Sequence, residues 1–374
     1  MKKSIIIVLA GLMILTFFIF INSCAKKEKV IKIGAILPLT GGAAKYGESA
    51  KRAIDLAVEE INSTGGIKGS KIKVIYEDDQ ALPDKGVSAI QKLITVDKVP
   101  VVIGAMPSSV TLAMAPIAEK NKVVLFSPAS SNPKITEAGD YIFRNDVSDI
   151  FEGGKMADEA WRRLKFRKIA VLYINNDYGA GIKDAFVYSF TILGGEIVVT
   201  ENFEQGTTDF RTQLTKIKQD DPEAVYIVGY KEQIQILKQF RELGLKSQIL
   251  ATIMLEDPEI IQKVGDSAEG AIYTYRAYDP NSEQKEIKEF VENFKVKYGI
   301  EPDNWAAQCY DALNIIALAI KDSGYNSDSI KKALYGIKNF PGVSGLTTFD
   351  ENGDVIKPIK LKTVKNGKFV IISE

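Results

Sequence analysis

From residue 30 onward, short apolar runs alternate with longer stretches in which apolar residues recur every three or four positions. The run IKIGAILPL (31–39) predicts a strand. In ESAKRAIDLAVEEIN (48–62), Ala50, Ile54, Ala57, Val58 and Ile61 fall on one face, which predicts an amphipathic helix. Gly65 and Gly66 end it. KIKVIYEDD (71–79) reads as the next strand and DKGVSAIQKLITVD (84–97) as the next helix. Two further strands open VVIGAMPSSV (101–110) and VVLFSPASSN (123–132), with SSVTLAMAPIAEKN (108–121) as the helix between them.

The alternation continues in the second half. RKIAVLYIN (167–175) precedes the helix GAGIKDAFVYSFTILGG (179–195), and AVYIVGY (224–230) precedes KEQIQILKQFRELG (231–244). GAIYTYRAY (270–278) leads to two helices, 282–299 and 306–324. Strands that are apolar without a break, each followed by a helix, form parallel sheets covered on both faces. Two series of such units predict an α/β protein of two Rossmann-like, doubly wound lobes. The C-terminal stretch 346–372 differs: Asn352-Gly353 and Asn366-Gly367 are turn signals that predict antiparallel hairpins.

Ligands of open α/β sheets bind beyond the carboxyl ends of the strands. Two successive strands here end in proline and paired serines, Ser108-Ser109 and Ser130-Ser131. A small turn leaves backbone N–H groups accessible near a helix start, and the hydroxyls add donors, so the pair of turns suits an anion without any arginine. The same serines also suit ordinary caps and turns. Tyr46, Tyr178 and Tyr230 lie near strand-to-helix junctions, where an apolar ring with a polar tip serves either a cleft wall or plain packing.

Composition narrows the chemistry. The chain has 374 residues, a length suited to about two domains. Lys+Arg and Asp+Glu both number 48, so there is no basic excess to suggest nucleic acid. Histidine is absent, which removes His-based nucleophile pairs and imidazole metal ligands. Cys24 and Cys309 are the only cysteines, too few for a thiolate metal cluster or a disulfide framework. GGIKGSK (65–71) lies in the wrong order for a phosphate loop. YGAGIKD lacks the last glycine of a dinucleotide fingerprint, and DENGD is too short for a calcium loop. No cofactor or metal is expected, and an enzyme is disfavoured.

The N-terminus reads as an address. Lys2-Lys3 precede an apolar run from Ile5 to Ile21, and Ile21-Asn22-Ser23-Cys24 follows. This pattern predicts a signal peptide (1–23). Its end is similar to a bacterial lipobox, with Cys24 as the lipid-bearing first residue of the mature chain, although Asn22 departs from the usual residue. An uncleaved membrane anchor is the other reading of this run. Residues 24–29 read as a solvated tether.

The ordered stretches IKIGAILPLTGGAAKYGES, AVEEINSTGGIKGSKIKVIYEDD, VVIGAMPSS, LFSPASSNP, NNDYGAGI, VGYKEQIQILKQFRELGLK and GDSAEGA resemble the leucine/isoleucine/valine-binding protein family. These are type I periplasmic solute-binding proteins of ABC importers, and the resemblance runs through the whole mature chain. It implies two lobes joined by a three-crossing hinge that closes on a ligand. Lobe 1 would comprise 30–145 plus 277–340, and lobe 2 would comprise 146–276 plus 341–374. The resemblance implies roles as follows: Ser108 on the ligand carboxylate, Ala129 offering backbone groups, and Ser131 as the hydroxyl two positions later. Tyr46, Tyr178, Tyr230 and Trp305 would line the pocket. The second-lobe acid that pairs with the ligand ammonium falls on Ile253, a departure that puts the amino-acid ligand in doubt. A gap in that loop would bring Glu256 to the acid's place, and Glu232 after Tyr230 is another acid within reach.

Together with the N-terminal address, the resemblance implies a lipid-anchored, extracytoplasmic, monomeric solute-binding protein. It would deliver a small carboxylate, foremost an apolar amino acid of the branched-chain type, to an ABC permease and ATPase. A non-amino organic or aromatic acid is the alternative ligand, and a ligand sensor for a partner receptor is the alternative role.

Overall fold

The computed structural model describes residues 30–372. The signal peptide, the tether and Cys24 lie outside them. Two sheets organise the chain. The first takes β1 (Val30–Leu37), β2 (Lys71–Asp78), β3 (Val101–Ile103), β4 (Val124–Ser127) and β5 (Ile142–Arg144) in the order β2-β1-β3-β4-β5, all parallel. Helices α1 (Ala44–Ser63), α2 (Pro83–Lys92) and α3 (Ser108–Lys120) connect its first four strands. Side chains alternate between two cores, as strand geometry requires. Val101, Ile103, Val124 and Phe126 face Ala50, Ile54 and Ala57 of α1. Val102 and Leu125 face Ala89 and Ile90 of α2 and Val110 and Met114 of α3.

The second sheet has the order β14-β13-β10-β9-β8-β6-β7. It comprises β6 (Lys168–Ile174), β7 (Glu196–Phe203), β8 (Ala224–Val228), β9 (Gln248–Ala251), β10 (Ile272–Arg276), β13 (Ile359–Lys365) and β14 (Lys368–Ile371). The five earlier strands are parallel, and β13 and β14 add antiparallel at one edge. Helix α4 (Asp149–Asp158) leads into this sheet from the first. Helices α5 (Asp177–Ile192), α6 (Arg211–Gln219), α7 (Gln233–Glu242) and α8 (Pro258–Val264) follow its strands β6 to β9 in turn. Asn366-Gly367 makes the expected two-residue turn, both residues at positive φ (53° and 67°). Asn352-Gly353 turns as well, but its flanks meet only in the bridge Phe349–Val355. The second antiparallel hairpin is β11 (Phe340–Gly342) with β12 (Gly345–Thr347).

Helices α9 (Lys285–Tyr298), α10 (Asn304–Ser323) and α11 (Ser327–Gly336) follow β10 and return to the first sheet. Phe349 packs edge-on against Phe126 and Phe143 of that sheet, and the Gly353 carbonyl accepts from Arg144 N. The chain then leaves through Val355 and Lys357 for β13. It therefore passes three times between the sheets. Polar groups from each passage meet in one buried knot. Lys357 Nζ donates to Asn145 Oδ1 (2.8 Å) and Ser344 Oγ (2.8 Å), while Arg276 holds Asp146 through Nε (2.6 Å) and Nη2 (3.0 Å).

One local device occurs in both sheets. Gly47, in the first turn of α1, presses on the end of β1: a Cβ there would lie 2.1 Å from Pro38 O. Gly179, in the first turn of α5, presses on the end of β6, where a Cβ would lie 1.9 Å from Ile174 O. Only glycine fits such an approach. In each case the residue just before it is a tyrosine, Tyr46 or Tyr178, carried to the strand-end face of its sheet.

Candidate functional site

The strand ends of the two sheets face each other across a cavity of about 610 Å³. From the first sheet it is walled by the loops after β1 (Gly42 to Tyr46), β2 (Ala81-Leu82), β3 (Met106 to Ser108) and β4 (Ala129, Ser131). From the second come Tyr178 after β6, residues 205–208 after β7, Tyr230 to Glu232 after β8, and Ile253-Met254 after β9. Trp305, at the start of α10, closes one side.

The serine turns divide their labour. Ser127 Oγ donates to Ala105 O (2.7 Å) and accepts from Ser130 N (3.0 Å). Ser130 Oγ bonds Met106 O (3.0 Å) and the Thr111 hydroxyl (2.8 Å). These two serines stitch the β3 and β4 loops together. Ser108 and Ser131 line the cavity. Neither caps a helix: the cap position of α3 is Pro107, and it makes no side-chain cap bond. Ser108 Oγ accepts from Ser131 N (3.2 Å) and Asn132 N (3.3 Å). A hydroxyl that already accepts twice keeps its own proton to donate elsewhere. Behind the turn, the wholly buried Arg144 fixes the carbonyls of Ser131 (3.1 Å) and Asn132 (3.0 Å). The result is a rigid, donor-rich edge beside Ala129, suited to a carboxylate.

Aromatic rings make the remaining walls. Tyr46 meets Trp305 edge to face (centroids 6.0 Å, 76°), and Tyr178 stacks on Tyr230 (5.4 Å, 17°). Tyr178 donates to Thr252 Oγ1 (2.9 Å), whereas the buried Tyr46 Oη has no partner among the described residues. Burial pushes all three phenols above their ordinary range, so they stay neutral donors. Two basic residues line the cavity, Arg276 and Lys231, and Arg276 is not free for an anion. Arg276 spends Nε and Nη2 on Asp146, as above, and Nη1 on Glu152 (2.6 Å). Lys231 sends its field onto Glu259 and holds that carboxyl below its ordinary range, second to the Lys263 hydrogen bond.

Contacts cross the cleft at two points. Lys45 Nζ of α1 pairs with Asp257 Oδ1 (2.5 Å) at the start of α8, and Asn132 Nδ2 donates to Asp177 O at the start of α5. The structure thus holds the sheets closed on the cavity. No group of three or more metal-ligating side chains occurs among the described residues, and no helix there is long and apolar enough to cross a membrane.

Comparison with known proteins places this architecture. The periplasmic binding protein family profile matches residues 30–368. The chain belongs to that family. It is 30% identical over 332 residues to the Leu/Ile/Val-binding protein homolog 3 of Brucella melitensis, covering 88% of this chain and 89% of the relative. Among solved structures, the branched-chain amino acid transporter substrate-binding protein of Streptococcus pneumoniae, in complex with isoleucine, superposes with a TM-score of 0.84. It is 32% identical and covers 92% of this chain and 99% of its own. The solute-binding protein of an ABC transporter from Rhodopseudomonas palustris, in complex with 3,4-dihydroxybenzoic acid, superposes with a TM-score of 0.82. It is 28% identical, covering 92% and 97% of the two chains. Members of this family are extracytoplasmic solute-binding components of transporters.

For this periplasmic binding protein, the residues singled out from sequence fall as follows. Tyr46, Ser108, Ala129, Ser131, Tyr178, Tyr230, Ile253 and Trp305 all line the cavity. Glu256 does not. It accepts from Lys362 Nζ (2.5 Å) and from the Tyr273 hydroxyl, both on strands of the second sheet. The expectation that a shifted loop brings Glu256 to the ligand is therefore corrected. The sequence reading missed Asp146 and Arg276 at the cavity floor and residues 205–208 at its rim. Asp146 and residues 205–208 follow β5 and β7, which the sequence pattern did not mark, and Arg276 ends β10, where only its charge set it apart from the apolar run.

Proposed function

We propose that this protein is the lipid-anchored, extracytoplasmic receptor of an ABC importer, that it binds a small apolar amino acid of the branched-chain type, and that it closes its two lobes on that ligand. The two lobes correspond to the two sheets with their helices, the second passage back falling near Tyr278 and the third near Lys357. The observation that carries the reading is the Ser108–Ser131 edge, a carboxylate receptor set against aromatic and apolar walls inside a closed cavity. A charged carboxylate enclosed there needs matched donors, and the apolar side chain needs dry walls. The isoleucine complex of the Streptococcus relative supports the same class.

A thermal-shift screen of amino acids and organic acids tests the ligand class. Leucine, isoleucine or valine should raise the melting temperature most. A screen in which only non-amino acids do so contradicts the amino-acid reading. That second reading, an aromatic carboxylic acid, is favoured by one observation: Ile253 lines the cavity where an acid is expected. The dihydroxybenzoic acid complex of the Rhodopseudomonas relative is consistent with it. The anchor has its own test, motivated by Ser23-Cys24 after the apolar run. Labelled fatty acid should enter the wild-type chain and not Cys24→Ala, and equal labelling of both would sink the anchor.

A further inference from the structure

An amino acid carries an ammonium into the cavity, and an ammonium buried without a counter-charge binds poorly. Ile253 supplies none, and Glu256 is turned away to Lys362. Among the described residues, the acids lining the cavity are Asp146 and Glu232. Asp146 is engaged with Arg276, which it shares with Glu152. Both its oxygens accept from Arg276, and Oδ1 also accepts from Val147 N (2.8 Å). Glu232 is in a different state. Its oxygens accept only main-chain N–H groups, from Gly206 (2.8 Å) and Tyr230 (3.2 Å), and no basic side chain pairs with it among the described residues. Each oxygen keeps a lone pair, because a carboxylate offers about four acceptor positions.

Three further observations place that charge on the cavity. Glu232 follows Tyr230, whose ring stacks on Tyr178 in the wall. The Glu232 charge adds to the burial that hinders ionisation of Tyr230, and it acts on Tyr46 as well, behind burial, Asp257 and Asp303. The Tyr46 Oη in the facing wall, on a side chain only 9% exposed, is left without a partner among the described residues.

We infer that Glu232 is the counter-charge for the ligand ammonium and the residue that makes this site prefer an amino acid over the same acid lacking its amino group. The main-chain bonds from Gly206 and Tyr230 hold the carboxylate at the wall, while the serine edge takes the other end of the zwitterion. The inference rests on the amino-acid reading above.

The test titrates the purified protein and its Glu232→Gln variant with isoleucine and with 3-methylpentanoate, its deaminated counterpart. Glutamine removes the charge and keeps an acceptor for one of the two main-chain donors. Wild type should bind isoleucine at least about tenfold tighter than 3-methylpentanoate, the scale of one charge-assisted pair. Glu232→Gln should lose about tenfold or more on isoleucine and hold 3-methylpentanoate within about twofold, an internal control that the variant is folded. Glu232→Asp, which keeps the charge, should recover part of the preference. If Glu232→Gln binds isoleucine as wild type does, the pairing is overturned and the amino-acid reading stands. If wild type fails to bind isoleucine, or binds it no better than 3-methylpentanoate, the pairing and the amino-acid reading both fall.

Discussion

Asp79 is wholly buried just after β2, in the loop that carries Ala81 and Leu82 to the cavity wall. Its Oδ1 accepts from Ala81 N (2.8 Å), and its Oδ2 has no partner among the described residues. Burial, with the Asp78 charge adding, pushes its carboxyl from 3.8 up to about 7. Between those values the folded chain holds a proton that the unfolded chain has released. This group therefore stabilises the fold at low pH, and that contribution is lost as pH rises to about 7. The shift corresponds to roughly 4 kcal/mol. Asparagine keeps the acceptor for Ala81 N and carries no charge. Asp79→Asn should match wild type near pH 4 and be more stable by a few kcal/mol at pH 8, as read from denaturant midpoints. Parallel stability curves for the two proteins would show that Asp79 does not titrate in this way. At the same scale, Glu256 shows where sequence reading ends. Its partner Lys362 lies 106 residues away, on a strand that joins the sheet antiparallel, and nothing near Glu256 in the chain announces it.

Elements with strong periodicity were legible. The strand and helix of each central unit lie where the alternation puts them, because they bury a continuous core. Boundaries moved where local chemistry intervened. Helix α1 starts at Ala44, four residues before the predicted start, and so carries Tyr46 on its first turn. Helix α2 ends at Lys92, and the predicted remainder to Asp97 is a single π turn. Elements with weak patterns were missed. Strand β7 is a sheet edge with mostly half-exposed residues, β5 has three residues, and α8 has seven. The serine turns show the limit differently. Sequence placed all four serines at strand ends, but Ser130 turned inward to Thr111 while Ser108 and Ser131 reached the cavity. That division depends on the contact between the β3 and β4 loops, which no local pattern encodes.

On the scale of the whole molecule, the site is made by bringing two sheets together. Three chain passages meet in the Asp146–Arg276 and Asn145–Lys357 contacts, and the Lys45–Asp257 pair spans the opposite side of the cleft. The two-lobe plan was legible because two series of strand–helix units are separated along the sequence. The return of Phe349 to the first sheet was not, since the turn at Asn352-Gly353 reads locally like any hairpin. The central claim is that the carboxylate of an amino acid is held between the lobes by the Ser108–Ser131 edge. Calorimetric titration of isoleucine into wild type, Ser108→Ala and Ser131→Ala tests it most directly. A hydrogen bond to a charged group contributes about 1.5–3 kcal/mol. Wild type should bind one isoleucine per chain, and each variant should bind about tenfold or more weakly; Ser131→Ala should keep its melting temperature, while Ser108→Ala, which strips the acceptor from Ser131 N and Asn132 N, should also lower it. Wild-type affinity in both variants would contradict the account.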